Sequence, residues 1–578
     1  MQFIDIEVYP NYLLVMFKRG DKFKYFQQYP GRRLSDNDRS TIKQTLSTHT
    51  TVGFNSLRYD LPLLVKAVNG ASCEDLYKIS KAIVENNRLP WQVASVPEHW
   101  DHIDIKEVAP GVMVSLKLYG GRIGSRKLQD LPIDPHSDIS PEQRDALIEY
   151  CKNDVTVTDD LYQQIVSQLE MRKSMSQQYN INLMSKSDAQ IAEAVLVSEI
   201  GDVQRPVDVK PSKYNPPKWM WFESDDLKHL FADVLQAEFN VSDKGKLLMP
   251  KVLNGRAVNV GNSKYKLGIG GLHSSEKSVA YHAGDRLLVD IDVASYYPAI
   301  ILEQELYPPQ CGRKFLSVYR KIVERRLEAK RKKDMVVANS LKITINGSFG
   351  KLGSQYSKLF APDLFKQVTV TGQLALLMLI EHLEMSGIPV ISGNTDGIVT
   401  NPTADQLPLL RNCVAMWESV TGYDMEETHY SSIHFRNVNN YIAITTDGKV
   451  KTKGCFASSG LMKNPQMPVV AQAVVNWLKD KTPIGKSIRA GKLLDYLTVR
   501  TVKGGGQWRG SYLGKVVRWY WSTDGDPITY VTNGNKVATS DGAKPLMELP
   551  ESLPDDIDYQ RYEQAAVELL EETGHGTI

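Results

Sequence analysis

Carboxylates near the start of the chain stand at spacings that suit metal-assisted chemistry on a phosphodiester. Asp5 and Glu7 lie two residues apart in the alternating stretch FIDIEVYP, so on a β-strand they point to the same face. Burying two like charges side by side is costly unless a cation compensates. Asp60 in NSLRYD and Asp154 in YCKNDV follow at a distance. Four such acids could converge on two divalent metals for hydrolysis, whereas unrelated surface acids are the alternative.

Polar neighbours accompany two of these acids. Asn55 and Tyr59 precede Asp60, and Tyr150 lies four residues before Asp154. Residues four apart share one face of a helix, so the Tyr150 hydroxyl could orient an attacking water beside Asp154.

A second set of acids lies in the middle of the chain. Asp292 ends the apolar run RLLVDIDV, and Asp396 occupies the stretch ISGNTDGIVT. Two residues before Asp396, where a second carboxylate would stand, the chain has Asn394. This stretch alone could be a metal site that has lost a ligand, a site that never needed two, or a surface hairpin.

A block of basic residues lies between these two acidic stretches. From Arg313 to Lys333 there are ten Lys or Arg and two Glu, a local charge of +8 in a chain whose net charge is +2. Such a block indicates a phosphate-binding surface, with a solvated helix face as the alternative. Arg326 and Lys330 are four apart and therefore project together.

Length and composition restrict the class of protein. The 578 residues suffice for about three to five domains. The longest apolar run, LALLMLI, is much shorter than the ~20 residues of a membrane span, and the acidic start MQFIDIEVYP does not match a signal peptide. Five cysteines without a Cys-x-x-Cys pair argue against a disulfide framework and a zinc knuckle. We therefore expect a cytoplasmic protein.

Hydrophobic periodicity places these residues on secondary structure. FIDIEVYP and RLLVDIDV are predicted strands, whereas the basic block and the segment from about Val336 are predicted helices. IPVISGNTDGIVT is a predicted hairpin with Asp-Gly at its turn, and NYIAITTDGKVKTKG is a second one. TVKGGGQWRGSYLG is predicted to be a glycine-rich connection, and one helix is predicted from Pro141 to Glu170.

The first set of motifs, in this order along the chain, resembles the proofreading 3′–5′ exonuclease of family B DNA polymerases, which is ribonuclease H-like. The resemblance implies a catalytic role for Tyr150 and metal binding by Asp5, Glu7, Asp60 and Asp154. It also implies that Asn55, Tyr59 and Ser115 contact a single-stranded primer end.

The second set resembles the polymerase motifs of the same family. DIDVASYYPAII resembles Asp-x-x-Ser-Leu-Tyr-Pro-Ser-Ile-Ile, and KITINGSFG resembles Lys-x-x-x-Asn-Ser-x-Tyr-Gly, with Gly347 and Phe349 as departures. NTDG takes the place of Asp-Thr-Asp-Ser, GIGG that of Tyr-x-Gly-Gly, and NVNNYIAI that of Lys-x-Tyr, with Asn439 replacing the lysine.

The resemblance implies roles for individual residues around two metals. Asp292, Asp396 and the carbonyl of Val293 would bind the metals, and Tyr297 would exclude a ribose 2′-OH. The other residues implied in binding the incoming dNTP are Arg326, Lys330, Lys342, Asn346 and Ser295. Those implied in binding DNA are Gly270, Gly271, Phe349, Gly350, Tyr441 and Lys453.

The departure at Asn394 falls on the more peripheral of the two usual aspartates. The resemblance therefore implies that Asp396 is the essential ligand and that the site still works. Asp290, two residues before Asp292 on the same strand face, could restore the missing charge or be a plain surface acid.

The expected architecture is an α/β and α+β multidomain chain, with a ribonuclease H-like exonuclease followed by a right-hand polymerase. The predicted borders are 1–170 for the exonuclease, 171–280 for a connecting region, 281–305 and 363–458 for the palm, 306–362 for the fingers and 459–578 for the thumb. The expected cofactor is Mg²⁺, two per site, with Mn²⁺ as a substitute.

The expected activity is DNA polymerisation with proofreading, for DNA replication of a phage type. The alternatives are an exonuclease with a degenerate polymerase domain and a non-catalytic DNA-binding replication protein. The expected partners are primer-template DNA, dNTPs and a helicase, single-strand binding protein or processivity factor, with a monomeric chain and no membrane. The short intervals between the polymerase motifs leave no room for the insertions of protein-primed phage relatives, which favours ordinary nucleic-acid primers.

Overall fold

The computed structural model describes residues 1–111, 114–206 and 209–575. The first part of the chain alternates strands with helices. Its elements are β1 (Gln2–Tyr9), β2 (Tyr12–Arg19), β3 (Lys22–Gln28), α1 (Asp36–Thr48), β4 (Thr51–Gly53), α2 (Asp60–Val68), α3 (Cys73–Val84), α4 (Pro90–Val93), β5 (His102–Asp104), α5 (Leu116–Ile123), α6 (Arg144–Gln164) and α7 (Val166–Tyr179).

These strands form one five-stranded sheet in the order β3-β2-β1-β4-β5. The pairs β1–β2 and β2–β3 are antiparallel, whereas β4 runs parallel to both β1 and β5. Each face of the sheet carries its own apolar core, which includes Phe3 and Tyr9 on one side and Ile4, Ile6 and Val8 on the other. This alternation along β1 puts Asp5 and Glu7 on the Phe3 side.

The helix predicted from Pro141 to Glu170 is divided in the structure. A 3₁₀ turn, Pro141–Gln143, precedes α6. The helical conformation is interrupted at Ile165, between the end of α6 and the start of α7. Proline is accommodated in a first turn because its missing N–H has no helical partner there.

The middle of the chain is richer in antiparallel strands. Its elements are α8 (Asp188–Ile200), β6 (Ser212–Lys213), α9 (Asp225–Gln236), β7 (Glu238–Phe239), β8 (Ala257–Val260), β9 (Ser263–Leu267), β10 (Leu272–Ser274), β11 (Lys277–His282), β12 (Leu288–Val293), α10 (Tyr296–Glu303), α11 (Lys314–Arg331), α12 (Met335–Leu352), α13 (Pro362–Met385), β13 (Val390–Asn394), β14 (Gly397–Thr400), α14 (Leu407–Thr421), β15 (Met425–Asn437), β16 (Asn440–Thr445) and β17 (Val450–Lys453).

Ten of these strands form one sheet. Nine follow the order β17-β16-β15-β12-β14-β13-β10-β9-β8, and β11 pairs with β15. The central strand β12 lies between β14 and β15, antiparallel to both. Both predicted hairpins are present, as β13–β14 and β16–β17.

The C-terminal part adds a second antiparallel sheet, in the order β20-β18-β19-β21. Its elements are α15 (Pro468–Asp480), α16 (Ile484–Arg489), β18 (Thr498–Trp508), β19 (Ser511–Trp521), β20 (Thr529–Tyr530), β21 (Ala543–Pro545) and α17 (Tyr559–Glu571).

The predicted glycine-rich connection is wrong, because its residues form the hairpin β18–β19. Gly504 and Gly505 have φ of +81° and +96° and create an irregularity in the strand pairing. Arg509 and Gly510 form a two-residue turn in which both φ angles are positive, a backbone that suits the twist of a hairpin. The glycines therefore bend a strand and do not replace it.

Helix α13 is the one helix of the described residues that is long and apolar enough to cross a membrane. In its apolar window 89% of the residues are buried inside the protein, which is the burial of a core helix. This length and composition alone are weak grounds for a membrane span.

The chain divides into two compact units, each assembled from separate segments. The first comprises Met1–Ser187, Ser458–Val469 and Arg489–Tyr562, and the second comprises Asp188–Ala457, Val470–Ile488 and Glu563–Ile578. The parallel and antiparallel sheets confirm the predicted α/β and α+β multidomain class. The segment 459–578 is shared between the units, and the predicted palm, fingers and thumb borders stay predictions.

Candidate active sites

Four of the predicted carboxylates gather in the first unit. Asp5 and Glu7 project from β1, and their oxygens lie within 4.8 Å of each other and of the Cys151 sulfur on α6. Asp60 is the first residue of α2 and accepts a hydrogen bond of 3.1 Å from the Ile6 amide. The strand and the helix start are thereby held together at the acids.

Burial and mutual repulsion raise the pKa values of these neighbouring acids. Burial raises the pKa of Asp5 well above its usual range, and repulsion by Asp60, Glu7 and Asp154 raises it further. The pKa of Glu7 is also well above its usual range, through burial and then the charge of Asp154. Such a set of hard oxygen donors with an excess of negative charge fits divalent cations such as Mg²⁺ or Mn²⁺.

Asp154 completes this cluster from α6. Burial raises its pKa to about 6, although the Lys117 ammonium and a hydrogen bond from the Tyr150 hydroxyl both lower it. Burial, followed by the charge of Asp104, raises the pKa of Asp60 to about 7. Tyr150 thus lies beside Asp154, as the spacing of four residues predicts.

Three residues of this cluster escaped sequence reasoning. Lys117 lies with its Nζ 4.9 Å from the centre of the Tyr150 ring, Cys151 donates to Asp5 at 3.6 Å, and Asp104 is buried near Asp60. Lys117 lies two residues after Ser115, which was predicted to contact DNA, and this proximity is the one sequence feature that could have indicated it. Nothing in the local sequence marks Asp104, because its role depends on β5 pairing with β4.

The residues predicted to contact single-stranded DNA already have intramolecular partners. Asn55 has φ of +64°, and its side-chain oxygen accepts from Lys106 Nζ at 2.7 Å. The Tyr59 hydroxyl lies 2.7 Å from Ser80 Oγ, and Ser115 caps the start of α5. These contacts fix the loop and helix ends beside the acids, and contact with DNA stays a prediction.

The second cluster forms where β12 meets the β13–β14 hairpin. Asp292 pairs with Gly397 across the two strands, and the Val293 amide donates to the Asp396 carbonyl at 2.7 Å. The turn residues are Thr395 and Asp396, so the prediction of Asp-Gly at the turn is wrong by one residue. Thr395 has φ of +58°, which is rare for a β-branched residue and marks strain at the turn.

Gly397 leaves room for the Asp292 carboxylate, which would have to turn away if residue 397 had a side chain. A Cβ built there would lie 1.8 Å from Asp292 Oδ1. Burial and then the charge of Asp292 raise the pKa of Asp396. Asp292 and Asp396 therefore share one small region at the strand ends, and their oxygens suit the same hard cations as the first cluster.

A cavity of about 790 Å³ opens above these carboxylates within the second unit. The sheet contributes Asp292, Val293 and Asp396 to its lining, and α11 and α12 contribute basic and polar side chains. Twelve of the residues predicted for polymerisation line it: Asp292, Val293, Ser295, Tyr297, Arg326, Lys330, Lys342, Asn346, Phe349, Asp396, Tyr441 and Lys453.

Basic side chains of α11 and α12 line the same cavity as the acids. Arg326 is 8% exposed, and its NH1 donates to Ser295 Oγ at 3.0 Å. Its buried Nε has no partner among the described residues, and burial lowers its pKa. Lys330 and Lys342 are exposed. A ligand that is anionic and carries bound metal ions would match a lining with both carboxylates and basic side chains.

Aromatic rings form one wall of the cavity. The rings of Tyr297 and Phe349 stack with centroids 4.2 Å apart, and Phe349 stacks on Phe365 at 4.9 Å. The Tyr297 hydroxyl donates to the Gly270 carbonyl at 2.6 Å. Gly271 packs against Thr395. The GIGG segment is therefore fixed to the hairpin turn, while its predicted contact with template stays a prediction.

A lysine that the sequence did not indicate lies among the acids. Lys451 Nζ is 3.2 Å from Asp290 Oδ2, 3.2 Å from the Tyr430 hydroxyl and 3.6 Å from Asp292 Oδ2. Asp290 is 6% exposed and also accepts from Tyr430, so the alternative of a plain surface acid is wrong. Lys451 is two residues before Lys453 on β17, so both project from one face.

Two departures from the family motifs, Asn394 and Gly347, have local structural explanations. Asn394 Nδ2 donates to the Val438 carbonyl at 3.1 Å, a bond that an aspartate could not make. Asn439, which replaces the lysine of the Lys-x-Tyr motif, is exposed. Lys453 Nζ lies 5.9 Å from the centre of the Tyr441 ring. Gly347 lets α8 pack on α12, because a Cβ there would lie 2.9 Å from Ala192. Gly350 is exposed and does not line the cavity.

Comparisons with known proteins give sequence similarity to DNA polymerases. The chain is 27% identical over 148 residues to DNA polymerase 1 of Saccharolobus solfataricus, covering 25% of this chain and 16% of that protein. It is 30% identical over 125 residues to DNA polymerase 1 of Sulfolobus acidocaldarius, covering 21% and 14%. It is 26% identical over 182 residues to the DNA polymerase alpha catalytic subunit of Xenopus laevis, covering 23% and 12%.

These matches cover a minority of each protein. The chain spans less than a fifth of the length of these three relatives. No family model matches the chain. Among solved structures, the family B DNA polymerase of Pyrobaculum calidifontis aligns with all of this chain and 78% of its own, at 15% identity and a TM-score of 0.40. The curated matches confirm the predicted resemblance: in sequence, the chain is similar to family B DNA polymerases.

Proposed function

We propose that the chain is a template-directed DNA polymerase with a 3′–5′ proofreading exonuclease. The observation that carries the proposal is one cavity lined both by the carboxylates of Asp292 and Asp396 and by the basic side chains of Arg326, Lys330 and Lys342. A deoxynucleoside triphosphate bound with divalent metals has the charge pattern that this cavity would accept. The sequence similarity to DNA polymerases supports the proposed polymerase activity.

In the polymerase site, each group has a role set by its position. Asp292, Asp396 and the Val293 carbonyl would hold two Mg²⁺ ions, and Arg326, Lys330 and Lys342 would bind the triphosphate. Bound metal supplies a lowered pKa at the attacking oxygen and neutralises charge on the phosphates. Tyr297 and Phe349 would pack against the sugar and the nascent base pair, and Arg326 would hold Ser295 in place through its 3.0 Å hydrogen bond. Transfer then depends mainly on positioning and charge stabilisation.

In the first unit, Asp5, Glu7, Asp60 and Asp154 would hold the metals of the exonuclease. Tyr150, hydrogen bonded to Asp154, would orient the attacking water toward the terminal phosphodiester. Lys117 would stabilise the ionised acids before the metals arrive, because its charge lowers the pKa of both Glu7 and Asp154.

The alternatives lack a supporting observation of their own. A degenerate polymerase domain predicts a cavity without its acids, and a non-catalytic DNA-binding protein predicts no reason to bury repelling carboxylates. Both sets are present, each within one compact unit.

The test is a primer-extension assay with the full chain, a labelled primer-template, Mg²⁺ and dNTPs. We expect extension with dNTPs, and degradation from the 3′ end without them. Asp292→Ala should abolish extension and leave degradation, whereas Asp5→Ala should do the reverse. Degradation alone would favour the degenerate polymerase, and binding without turnover would favour the non-catalytic protein.

We also propose that the enzyme extends ordinary nucleic-acid primers, in DNA replication of a phage type, with processivity or strand displacement supplied by partner proteins. The support is the short interval of about 50 residues on either side of Lys342 between Asp292 and Asp396. Short products are expected when the purified chain extends a long template in the presence of an unlabelled trap. Long processive products under these conditions would contradict the role of partners.

A further inference from the structure

Three histidines meet at one edge of the second unit, away from the residues assigned above. His282 ends β11, His434 lies in the neighbouring strand β15, and His575 follows α17 near the end of the described chain. One ring nitrogen from each lies within 4.8 Å of the other two. The side chains come from three separate segments, so the fold itself brings them together.

The hydrogen bonds of His434 orient its ring toward the centre of the group. Its Nδ1 lies 3.0 Å from His575 Nε2, and its Nε2 lies 3.0 Å from Ser432 Oγ. In the tautomer in which His434 Nε2 donates to Ser432 Oγ, the Nδ1 lone pair is directed at His575. A hydrogen bond from the outer nitrogen of a histidine is the usual way in which a metal-binding ring is oriented.

The C-terminal segment is held against the sheet by contacts that do not involve the histidines. Glu572 forms an ion pair of 2.7 Å with Arg436 of β15. Gly574 has φ of +86°, and a Cβ there would lie 2.6 Å from the Ala280 amide of β11. His575 is therefore positioned by its own segment, and a ligand at the three rings would find them already assembled.

We propose that His282, His434 and His575 form a transition-metal site that binds one Zn²⁺ ion. Imidazole nitrogens suit zinc, whereas Mg²⁺ prefers oxygen donors. Zinc bound to three histidines at about 2.1 Å requires nitrogen separations of about 3.4 Å. The three nitrogens lie within 4.8 Å of one another, and His434 Nδ1 and His575 Nε2 are 3.0 Å apart, so metal binding requires the rings to rotate and this hydrogen bond to open. His282 is exposed, so the fourth ligand position would be open to water.

The electrostatic surroundings favour neutral rings and limit the affinity. Burial, followed by the charges of the neighbouring His575, His282 and Lys481, lowers the pKa of His434 to about 3. Lys481 Nζ lies 3.7 Å from the centre of the Trp477 ring, which packs on His575. A neutral ring has a lone pair for the metal, but the nearby ammonium opposes a second cation. We expect binding weaker than that of structural zinc sites with thiolate ligands.

This site would have a structural role, whereas the carboxylate clusters are proposed to be catalytic. It would tie the C-terminal segment to β11 and β15, and β15 is the strand beside β12, which carries Asp292. A metal in this position would stabilise the edge of the sheet without touching the reacting groups.

The test uses the full chain with excess Mg²⁺, which occupies the carboxylates. Co²⁺ is added as a spectroscopic substitute for zinc, and Zn²⁺ affinity is measured by competition with a chromophoric chelator. We expect one equivalent of metal and the visible absorption of tetrahedral nitrogen-bound cobalt. His282→Asn and His575→Asn should each weaken Zn²⁺ binding by at least about 100-fold.

The matched control is His229→Asn, an exposed histidine of the same unit on α9. His229→Asn should bind metal as the unaltered chain does. Zn²⁺ should raise the unfolding temperature of the unaltered chain and of His229→Asn, but not that of His575→Asn. Absence of the tetrahedral cobalt spectrum, or Zn²⁺ binding that survives both cluster variants, would overturn the proposal. The three rings would then be a hydrogen-bonded group only.

Discussion

At the scale of single residues, Asn394 and Asp396 have different contributions to the proposed polymerase site. Asp396 faces Asp292 across the strand ends, whereas Asn394 donates to the Val438 carbonyl. We expect Asp396→Asn to abolish primer extension. We expect Asn394→Asp to retain activity and to lower the free energy of unfolding by about 1 kcal/mol, because it loses one hydrogen bond. Primer extension and urea unfolding measure the two effects.

Degradation of the primer is the internal control for both variants, since its proposed residues lie in the first unit. A fully active Asp396→Asn enzyme would contradict the assignment of Asp396. An inactive but folded Asn394→Asp enzyme would show that position 394 requires an amide for catalysis.

Tyr297 offers a residue-scale test of sugar selection. Its ring stacks on Phe349 and its hydroxyl donates to Gly270, so the ring is held rigidly at the cavity wall. Tyr297→Ala removes the ring that would meet a 2′-OH, and we expect discrimination against rNTPs to fall by at least about tenfold. Single-nucleotide incorporation with dNTP and rNTP measures the ratio.

Tyr297→Phe is the matched control, because it keeps the ring and removes only the hydroxyl. We expect it to retain most of the discrimination. Equal discrimination by the unaltered chain and Tyr297→Ala would exclude Tyr297 from sugar selection.

At the scale of elements, strands and motif residues were predictable because their signals are local. The alternation in FIDIEVYP predicted β1 and the shared face of Asp5 and Glu7, and the structure has both. The turn beside Asp396 was misplaced by one residue. A Gly after Asp suggests a turn glycine, but Gly397 lies in β14 and faces the Asp292 carboxylate of the neighbouring strand.

Residues placed by long-range pairing could not be predicted in this way. Lys451 contacts Asp290 only because β15 and β16 lie between β12 and β17 in the sheet. The same limit applies to β18, where the composition of Gly504 and Gly505 indicates a loop although pairing with β19 makes a strand.

The contact of Lys451 with Asp290 and Asp292 supports a prediction at the scale of the sheet. Lys451→Met would leave the buried Asp290 carboxylate beside Asp292 without its cation. Since 48% of the Lys451 side chain is exposed, we expect the free energy of unfolding to fall by about 1–2 kcal/mol. Urea unfolding at neutral pH measures the change.

Asp290→Asn combined with Lys451→Met completes a double-mutant cycle. The amide keeps the hydrogen bond to Tyr430 and needs no cation, so the double variant should regain most of the lost stability. If the losses of stability in the single variants Lys451→Met and Asp290→Asn add up to the loss in the double variant, the two residues are not coupled.

At the scale of the whole molecule, the two proposed sites arise within different compact units. The motif order predicted two chemistries in one chain, and each set of acids gathers within its own compact unit. The discontinuous composition of the units could not be predicted, because the return of 489–562 to the first unit depends on contacts such as Val499 against Gly121, which no local pattern records.

The free energy of unfolding of the whole chain should depend on pH through the ionisation of the acids in the first unit. In the metal-free protein, burial and repulsion raise the pKa of Asp60 to about 7 and that of Asp154 to about 6. The folded state therefore binds more protons than the unfolded state between about pH 4 and pH 7, so these groups lower the stability as pH rises through that range. The contribution of Asp60 is on the order of 2–4 kcal/mol.

Asp60→Asn isolates this contribution, because its side-chain oxygen can still accept from the Ile6 amide. Urea unfolding in a chelator from pH 4 to pH 8 should show a steeper loss of stability for the unaltered chain than for the variant. Mg²⁺ should stabilise the unaltered chain more at pH 8 than at pH 5, because protons compete with the metal for the same oxygens. Parallel pH profiles for the two proteins would mean that Asp60 is ionised in the metal-free fold and would contradict the predicted repulsion.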